Sequence, residues 1–173
     1  HRYFTGGNSA EKEEALLKAH VQVAAFGLLP DIISDLEAEA NKRLEASLNP
    51  EEEERLRNLP LSDAAGTPHF VPALLARLGT VRAALDGHGG GIKASQYEVT
   101  SEGLDLVLDL TGACVSCGAA PGTLQGIKAD LEADPEVHRL RFDRVLLDSF
   151  DDLGRDFILA HGNVEFVHVG ADA

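Results

Sequence analysis

The first third of the chain has the apolar spacing of helices. Apolar side chains recur three and four positions apart over residues 9–26 and again over residues 30–44, which is the period of one helix face. We expect these two helices to pack as an antiparallel pair. Asn49 and Pro50 then supply an N-cap and a first-turn proline, which predicts a short third helix that ends near Asn58.

A change of composition after this helix predicts a domain boundary. Residues 59–66 combine proline, serine, aspartate and glycine, which is the composition of a linker. Helical spacing resumes from Thr67 to Leu85, with a weak point at Gly79. The glycines of residues 87–91 predict a turn of unusual backbone shape. A phosphate-binding loop is disfavoured there, because no strand precedes these glycines and no Lys-Ser/Thr pair follows them.

The second half of the chain changes to the spacing of strands. Residues 92–100 and 104–110 predict two strands, and the turn at 101–103 joins them as a hairpin. A helix is predicted next, with Thr123 as its N-cap. Its apolar face comprises Leu124, Ile127 and Leu131.

The last part of the chain offers two candidates for a third strand. Residues 137–142 place Leu140 and Phe142 on one face, and the β-branched run at 164–169 is an equally strong candidate. An amphipathic helix is predicted between the two candidates. Its apolar positions are Val145, Leu146, Phe150, Leu153, Phe157 and Ile158.

Together these elements predict an α+β fold in three parts. Residues 1–66 form an N-terminal helical domain, and residues 67–142 form a small α/β domain with a helix, a hairpin, a loop, a helix and a third strand. Residues 143–173 form a helical extension, which completes the sheet if its β-branched run is a strand.

Both cysteines of the chain, Cys114 and Cys117, lie in the predicted loop between the second strand and the next helix. Such a loop leaves thiols accessible, and the positive end of the following helix favours thiolates. The spacing lets both sulfurs reach one metal ion or one edge of a cluster. The neighbouring Gly112, Gly118 and Gly122 are typical of an open loop, which disfavours two cysteines that merely fill a core.

Two thiolates do not complete a soft-metal site. Zinc or a four-iron cluster takes about four protein ligands. A cluster held by thiolates alone therefore requires two chains, each of which contributes Cys114 and Cys117. We expect such a dimer to meet at this loop.

Several segments have a shared order and spacing that is typical of one family. They are Ala84-Leu85-Asp86-Gly87-His88-Gly89-Gly90, Thr111-Gly112-Ala113-Cys114-Val115-Ser116-Cys117, Thr123-Leu124, Gly126-Ile127 and Asp134-Pro135-Glu136-Val137. They resemble the C-terminal domain of the NifU family of iron–sulfur cluster scaffolds and carriers.

The resemblance implies a small α/β domain whose Cys-x-x-Cys loop assembles or carries a cluster and passes it to apo-proteins. The implied cluster is typically a 4Fe-4S cluster bridged between two subunits, with Cys114 and Cys117 as its metal ligands. The N-terminal part and the tail of the chain lie outside the resemblance.

Charge and hydropathy exclude other classes of partner. The chain has 15 basic and 29 acidic residues and a formal net charge of -14, so we expect no nucleic-acid partner. No apolar run reaches membrane-spanning length, so we expect no membrane association. Two closely spaced cysteines favour a reducing compartment, which predicts a cytoplasmic protein.

The histidines are weaker ligand candidates than the cysteines. His20, His138 and His168 lie in periodic segments and are interpreted as surface or half-buried side chains. His161 is placed where a helix C-terminus is predicted, and a cationic imidazole suits that position. His88 is interpreted as a residue that holds the glycine-rich turn.

The sequence therefore favours an iron–sulfur cluster carrier over an enzyme. Transfer to an acceptor protein would proceed by ligand exchange, in which an incoming thiolate replaces Cys114 or Cys117 at an iron. One alternative is a thiol-disulfide oxidoreductase, which the absence of a βαβ unit ahead of the cysteines disfavours. The other is an interaction protein clipped by zinc, which the sequence leaves open because zinc also accepts four thiolates.

Overall fold

The computed structural model of the chain describes residues 35–36, 38–87, 89–112 and 120–170. The helix predicted over residues 9–26 and the start of the next one lie outside these ranges. Contacts divide the chain into two units, His1–Glu39 and Ala40–Ala173. Residues 35–36 and 38–47 are helical and form the described part of helix α1, which confirms the later part of the second predicted helix.

Helices α2 and α3 follow in the second unit. Helix α2, Pro50–Asn58, begins as predicted: the Asn49 side chain accepts hydrogen bonds from the backbone N–H groups of Glu51 and Glu52 at 3.0 and 3.4 Å. Residues 59–66 were expected to form a linker, but they contain helix α3, Leu61–Ala64. Linker composition was misleading here, because Leu61 and Ala64 are buried in the core that also holds the sheet. The domain limits at 66 and 142 stay predictions.

The helix predicted from Thr67 to Leu85 is divided into two. Helix α4 spans Phe70–Leu75 and helix α5 spans Thr80–Gly87, so the weak point predicted at Gly79 is a break between helices. The side-chain carboxylate of Asp130 accepts a hydrogen bond from the Gly79 N–H at 2.8 Å, which satisfies a backbone group that the break exposes.

A four-stranded mixed sheet in the order β1-β2-β3-β4 confirms the α+β class. Strand β1, Gly90–Thr100, and strand β2, Gly103–Gly112, form the predicted antiparallel hairpin, with a bulge between Ala94 and Gln96. Strand β3, Val137–Asp143, pairs parallel with β2, and the two-residue strand β4, Phe166–Val167, pairs parallel with β3. Both candidates for a third strand therefore join the sheet.

Helix α6, Ala120–Glu132, connects β2 to its parallel neighbour β3. The helix begins before Thr123, so the predicted N-cap at Thr123 is wrong. The three predicted apolar positions, Leu124, Ile127 and Leu131, are fully buried against the sheet side of the core.

The single helix predicted after β3 is two helices. Helix α7 spans Arg144–Asp148 and helix α8 spans Asp152–His161. The break has a local cause, because the Asp151 side chain accepts a hydrogen bond from the Gly154 N–H at 2.7 Å and starts a new helix. The predicted apolar face is only partly correct: Leu146 and Ile158 are buried, and Phe150 packs against the core at its margin. The remaining three positions, Val145, Leu153 and Phe157, are exposed.

A buried arginine fastens the helices to the end of the sheet where β2 and β3 begin. The Arg77 side chain is 5% exposed and forms ion pairs with Asp134 at 2.8 Å and Glu136 at 3.1 Å. It also donates to the backbone carbonyl oxygens of Leu56, Leu59 and Ala73. Five acceptors therefore surround one guanidinium, whose planar array of donors suits such a site.

Within the described ranges, no helix is both long and apolar enough to cross a membrane.

Candidate functional site

The segment with both predicted ligands connects two well-defined elements. Cys114 and Cys117 themselves lie outside the described residues. The chain enters this segment from the end of β2 at Gly112 and leaves it at the start of α6 at Ala120. The structure therefore fixes both attachment points of the segment.

The sheet topology brings other elements to the same edge. Strands β2 and β3 run parallel, with Leu108 opposite Phe142, so their carboxyl ends meet at one edge of the sheet. Helix α7 begins directly after β3 at this edge and contacts β2, β3 and β4. In open sheets of parallel strands, ligands bind at this kind of edge.

A close approach of two backbones forms the first attachment point. Gly90 pairs with Gly112 in the hairpin, and Gly112 has a φ of +66°, a conformation that favours glycine. A Cβ at Gly112 would collide with the carbonyl oxygen of Gly89. The glycines at the open end of the hairpin, where β1 begins and β2 ends, thus serve a tight backbone contact, which accounts for part of the glycine-rich run without a phosphate ligand.

The second attachment point is the start of helix α6, which is anchored by its buried side chains. Leu124, Ile127 and Leu131 are each 0% exposed and lie in the core with Leu108 and Leu110 of β2. The strand before the cysteine segment and the helix after it thus contribute side chains to one core. The two points at which the segment is attached are therefore held by packed elements.

Two aspartates, Asp109 and Asp143, lie near each other at the described part of this edge. Burial raises the pKa of the half-buried Asp109 above its ordinary value and is the largest effect. The hydrogen bond from the Leu110 N–H lowers the pKa by a smaller amount, and the opposing charges of Asp143 and Lys93 raise and lower it by less again. Asp143 also caps α7 by accepting a hydrogen bond from the Val145 N–H at 3.1 Å.

The histidines that the structure describes have local roles. His161 ends α8, as its position predicts, and its ring centroid lies 5.2 Å from that of Phe157. The Nε2 atom of His138 lies 3.3 Å from a carboxylate oxygen of Glu102. His20 and His88 lie outside the described residues. Among the described residues, no group of three or more His, Cys, Asp and Glu side chains is placed to hold a metal ion.

A polar cavity of about 230 Å³ lies at the other end of α6. Lys128 and Glu132 of α6 form an ion pair across 2.6 Å, and Arg139 and Glu165 form another across 2.7 Å. Glu132 also accepts a hydrogen bond from the Leu140 N–H at 3.1 Å. Since each of these charges is already matched within the protein, the cavity has the character of a structural junction.

Comparison with protein families identifies the central part of the chain. Residues 76–139 match the family model of the NifU-like domain, which confirms the resemblance seen in the sequence. The match includes Cys114 and Cys117, and the family connects this part of the chain with iron–sulfur clusters. No curated protein and no solved structure matches the chain.

Some of the elements around the cysteine segment lie inside the family match, and others follow it. The hairpin and α6 lie inside residues 76–139, whereas α7, α8 and β4 follow the match. Sequence reasoning predicted the first group but did not anticipate that the extension returns to the cysteine edge. The five aspartates between residues 143 and 156 show only that this part of the chain is acidic as well as apolar, and not where it packs.

Proposed function

We propose that this protein is a scaffold or carrier of iron–sulfur clusters, which it holds through Cys114 and Cys117 and passes to apo-proteins. The observation that carries the proposal is the presence of both cysteines inside the NifU-like match. In this role the cluster is cargo, and the protein is a carrier without turnover of a substrate of its own.

The position of the cysteine segment supports transfer. A cluster that must leave needs ligands that an incoming thiolate can approach. The segment joins two elements at an edge of the sheet, and both elements are anchored by buried leucines and isoleucine in the core. Exchange at that edge therefore does not require the core to open.

The number of ligands supports a shared cluster. Each chain offers two cysteines, and a 4Fe-4S cluster takes about four thiolates. We propose a homodimer whose two-fold axis passes through the cluster, with about two irons per chain. Because the cluster bonds would be part of the interface, removal of the metal should weaken the dimer. The net charge of -14 on each chain opposes association, so the cluster must offset repulsion between subunits.

Anaerobic reconstitution with ferrous iron and sulfide tests the cargo. We expect a cluster chromophore in the visible spectrum and iron and sulfide in equal amounts, with little zinc. Light scattering with and without a chelator should then show a dimer that dissociates as the metal is removed. A protein that retains zinc but no sulfide would point to the zinc-clipped alternative, and a monomer with a full cluster would contradict bridging.

A transfer assay tests the role. Loaded protein is mixed anaerobically with a purified apo-protein that takes a four-iron cluster, with an iron chelator in the solution. Direct transfer should proceed at the same rate with and without the chelator, because iron is never free.

A redox assay separates a carrier from an oxidoreductase. In insulin reduction with dithiothreitol, we expect the metal-free protein to give no more turnover than a Cys114→Ser variant, although its two thiols can form a disulfide. Rapid turnover that depends on both cysteines would favour the oxidoreductase.

A further inference from the structure

One face of helix α8 is more exposed than a packed amphipathic helix requires. Ile158 turns toward the core and is 1% exposed, whereas Leu153 and Phe157 are 80% and 51% exposed. Leu153 and Phe157 are four residues apart and therefore share a face that Ile158 does not. The ring of His161, one turn further on, lies against Phe157 and holds that side of the face in place. We name Leu153 and Phe157 the α8 stripe.

The contacts of α8 with α6 place the N-terminal end of α8 relative to the start of α6, where the cysteine segment is attached. The Gln125 side chain of α6 donates to the backbone carbonyl of His161 at 3.5 Å, and the residues after α8 line a cavity with Lys128 and Glu132, further along α6. The two helices therefore advance in the same direction. Leu153 lies about 12 Å along the axis before His161, and the start of α6 lies about 8 Å before Gln125. The N-terminal end of α8 thus reaches the level at which the cysteine segment joins α6.

The surface around the α8 stripe is negative. Asp152 and Asp156 are exposed and lie along one flank of the stripe on the same side of the helix. The Arg155 guanidinium turns away to the backbone carbonyls of Asp148 and Phe150, at 3.5 Å each. An apolar stripe with a flank of carboxylates complements a surface that presents apolar side chains among lysines and arginines.

We propose that the α8 stripe docks the protein that receives the cluster, and that this acceptor presents an apolar surface flanked by basic side chains. The inference rests on the proposed carrier function for the identity of the partner, and on the exposure and charge of α8 for its chemistry. Docking beside Cys114 and Cys117 would hold the acceptor thiolates close to the cluster during ligand exchange.

The charge of the surface disfavours two other occupants. A second copy of the chain would bring Asp152 and Asp156 of both copies together, and like charges in an interface cost free energy. An anionic membrane surface would be repelled for the same reason. A basic protein surface is the occupant that gains from both the apolar and the acidic side chains.

Peptide binding tests the chemistry of the surface without a cluster. The probe is a fluorescent helical peptide of leucine and lysine at amphipathic spacing, with a leucine–glutamate peptide and a lysine–serine peptide for comparison. The leucine–lysine peptide should bind best, and Leu153→Ser combined with Phe157→Ser should weaken its binding by at least about tenfold. The matched control is Leu36→Ser, because Leu36 is also an exposed helical leucine, at 65% exposure. It should bind like the unaltered protein.

A charge variant separates the acidic flank from the apolar stripe. Asp152→Asn combined with Asp156→Asn should weaken peptide binding at low salt and reduce the salt dependence of binding. The stripe variant, Leu153→Ser combined with Phe157→Ser, should keep that salt dependence. Circular dichroism should show the same melting curve for every variant, since the altered side chains are exposed. Equal peptide binding by the stripe variant and the unaltered protein would overturn the docking surface. Self-association that the stripe variant abolishes would also overturn it, by assigning the stripe to a second copy.

Cluster transfer connects the surface with the acceptor and separates the two proposals. With equal cluster content, the stripe variant should transfer more slowly than Leu36→Ser to a basic apo-protein, and an equal rate would overturn the assignment to the acceptor. A protein that binds the peptide through the stripe but takes up no cluster would overturn the carrier function and leave the docking surface standing. A protein that takes up the cluster but binds the peptide independently of the stripe would overturn the docking surface and leave the carrier function standing.

Discussion

The two ends of the central sheet differ in how their side chains are used. Where β2 and β3 begin, the buried Arg77 binds two carboxylates and three backbone carbonyls. Where the same strands end, the described residues include a half-buried aspartate of raised pKa, a glycine of positive φ and the exposed α8 stripe. Polar groups are matched at the first end, and apolar and charged groups are left available at the second.

This difference suits the proposed carrier function. Fixing one end of the sheet holds β2 and α6 in place, and an available opposite end would let partners approach the proposed ligands between them. Variants at each end should therefore change different properties: stability at the Arg77 end and cluster handling at the cysteine end.

The largest effect is expected from the cysteines. Cys114→Ser or Cys117→Ser should reduce the cluster content after reconstitution to near zero, because a single thiolate cannot hold its edge of the cluster. The melting temperature of the metal-free protein should change by less than about 2 °C, because the sequence predicts that both cysteines lie in a loop, and a loop side chain contributes little to a core. Iron and sulfide analysis with calorimetry measures both. A single variant with a stoichiometric cluster would contradict the assignment of these ligands.

Arg77 should have the largest effect on stability. Arg77→Met leaves the carboxylates of Asp134 and Glu136 and three carbonyl oxygens without their shared donor. We expect the free energy of unfolding to fall by about 3–5 kcal/mol, the usual cost of breaking a buried ion pair.

A matched arginine is available as the control for Arg77. Arg139 also binds a carboxylate through its guanidinium, that of Glu165, but its side chain is 45% exposed. Arg139→Met should cost much less than Arg77→Met, because solvent screens the pair. Urea denaturation measures both variants, and equal losses would contradict the contrast between the two ends.

A substitution at Gly112 tests the backbone of positive φ at the cysteine end of the sheet. Gly112→Ala forces a side chain onto a residue with φ of +66° and against the Gly89 carbonyl, so we expect a loss of about 1–3 kcal/mol. Gly122→Ala is the matched control, because a Cβ at Gly122 in α6 has no heavy atom within 4 Å. It should stabilise the protein by up to about 1 kcal/mol, since alanine is the better helix former. Denaturation midpoints give the sign of each change, and stabilisation by both would mean that the hairpin end is not strained.

Substitution of Asp109 should have the smallest effect on stability, and that effect should depend on pH. Its folded pKa is raised above its ordinary value, so ionisation of Asp109 disfavours the folded state, and that cost is present above the folded pKa. Asp109→Asn should therefore stabilise the protein slightly at pH 7. The advantage should shrink as the pH falls through the folded pKa and be lost about one pH unit below the ordinary aspartate pKa of about 3.9, where the carboxyl is protonated in both states. Melting temperatures of both proteins from about pH 3 to pH 7 test this, and a difference that is independent of pH would contradict it.

Local patterns in the sequence were enough to predict the elements that depend on neighbours in the chain. The cap at Asn49, the hairpin around residues 101–103 and the apolar face of α6 follow from contacts within a few residues, and all three are present. The Cys-x-x-Cys spacing and its flanking glycines likewise predicted the NifU-like domain, which the family match confirms.

Only tertiary contacts decided the remaining features. Helix α3 lies where the composition predicts a linker. Burial of Leu61 and Ala64 outweighs the local preference of Pro60 and Ser62 for irregular structure. Sequence periodicity assigned Leu153 and Phe157 to the apolar face of one amphipathic helix but left open what that face contacts. A period shows which residues share a face, not which face meets another element.

The sequence alone thus determined the α+β class, the hairpin and the pair of candidate ligands, because local chemistry and spacing specify them. The tertiary structure decided that Arg77 joins distant segments at one end of the sheet, and that α8 returns to the end where the cysteine segment is attached. Those features depend on residues far apart in the chain, which meet only after the strands pair and the core closes.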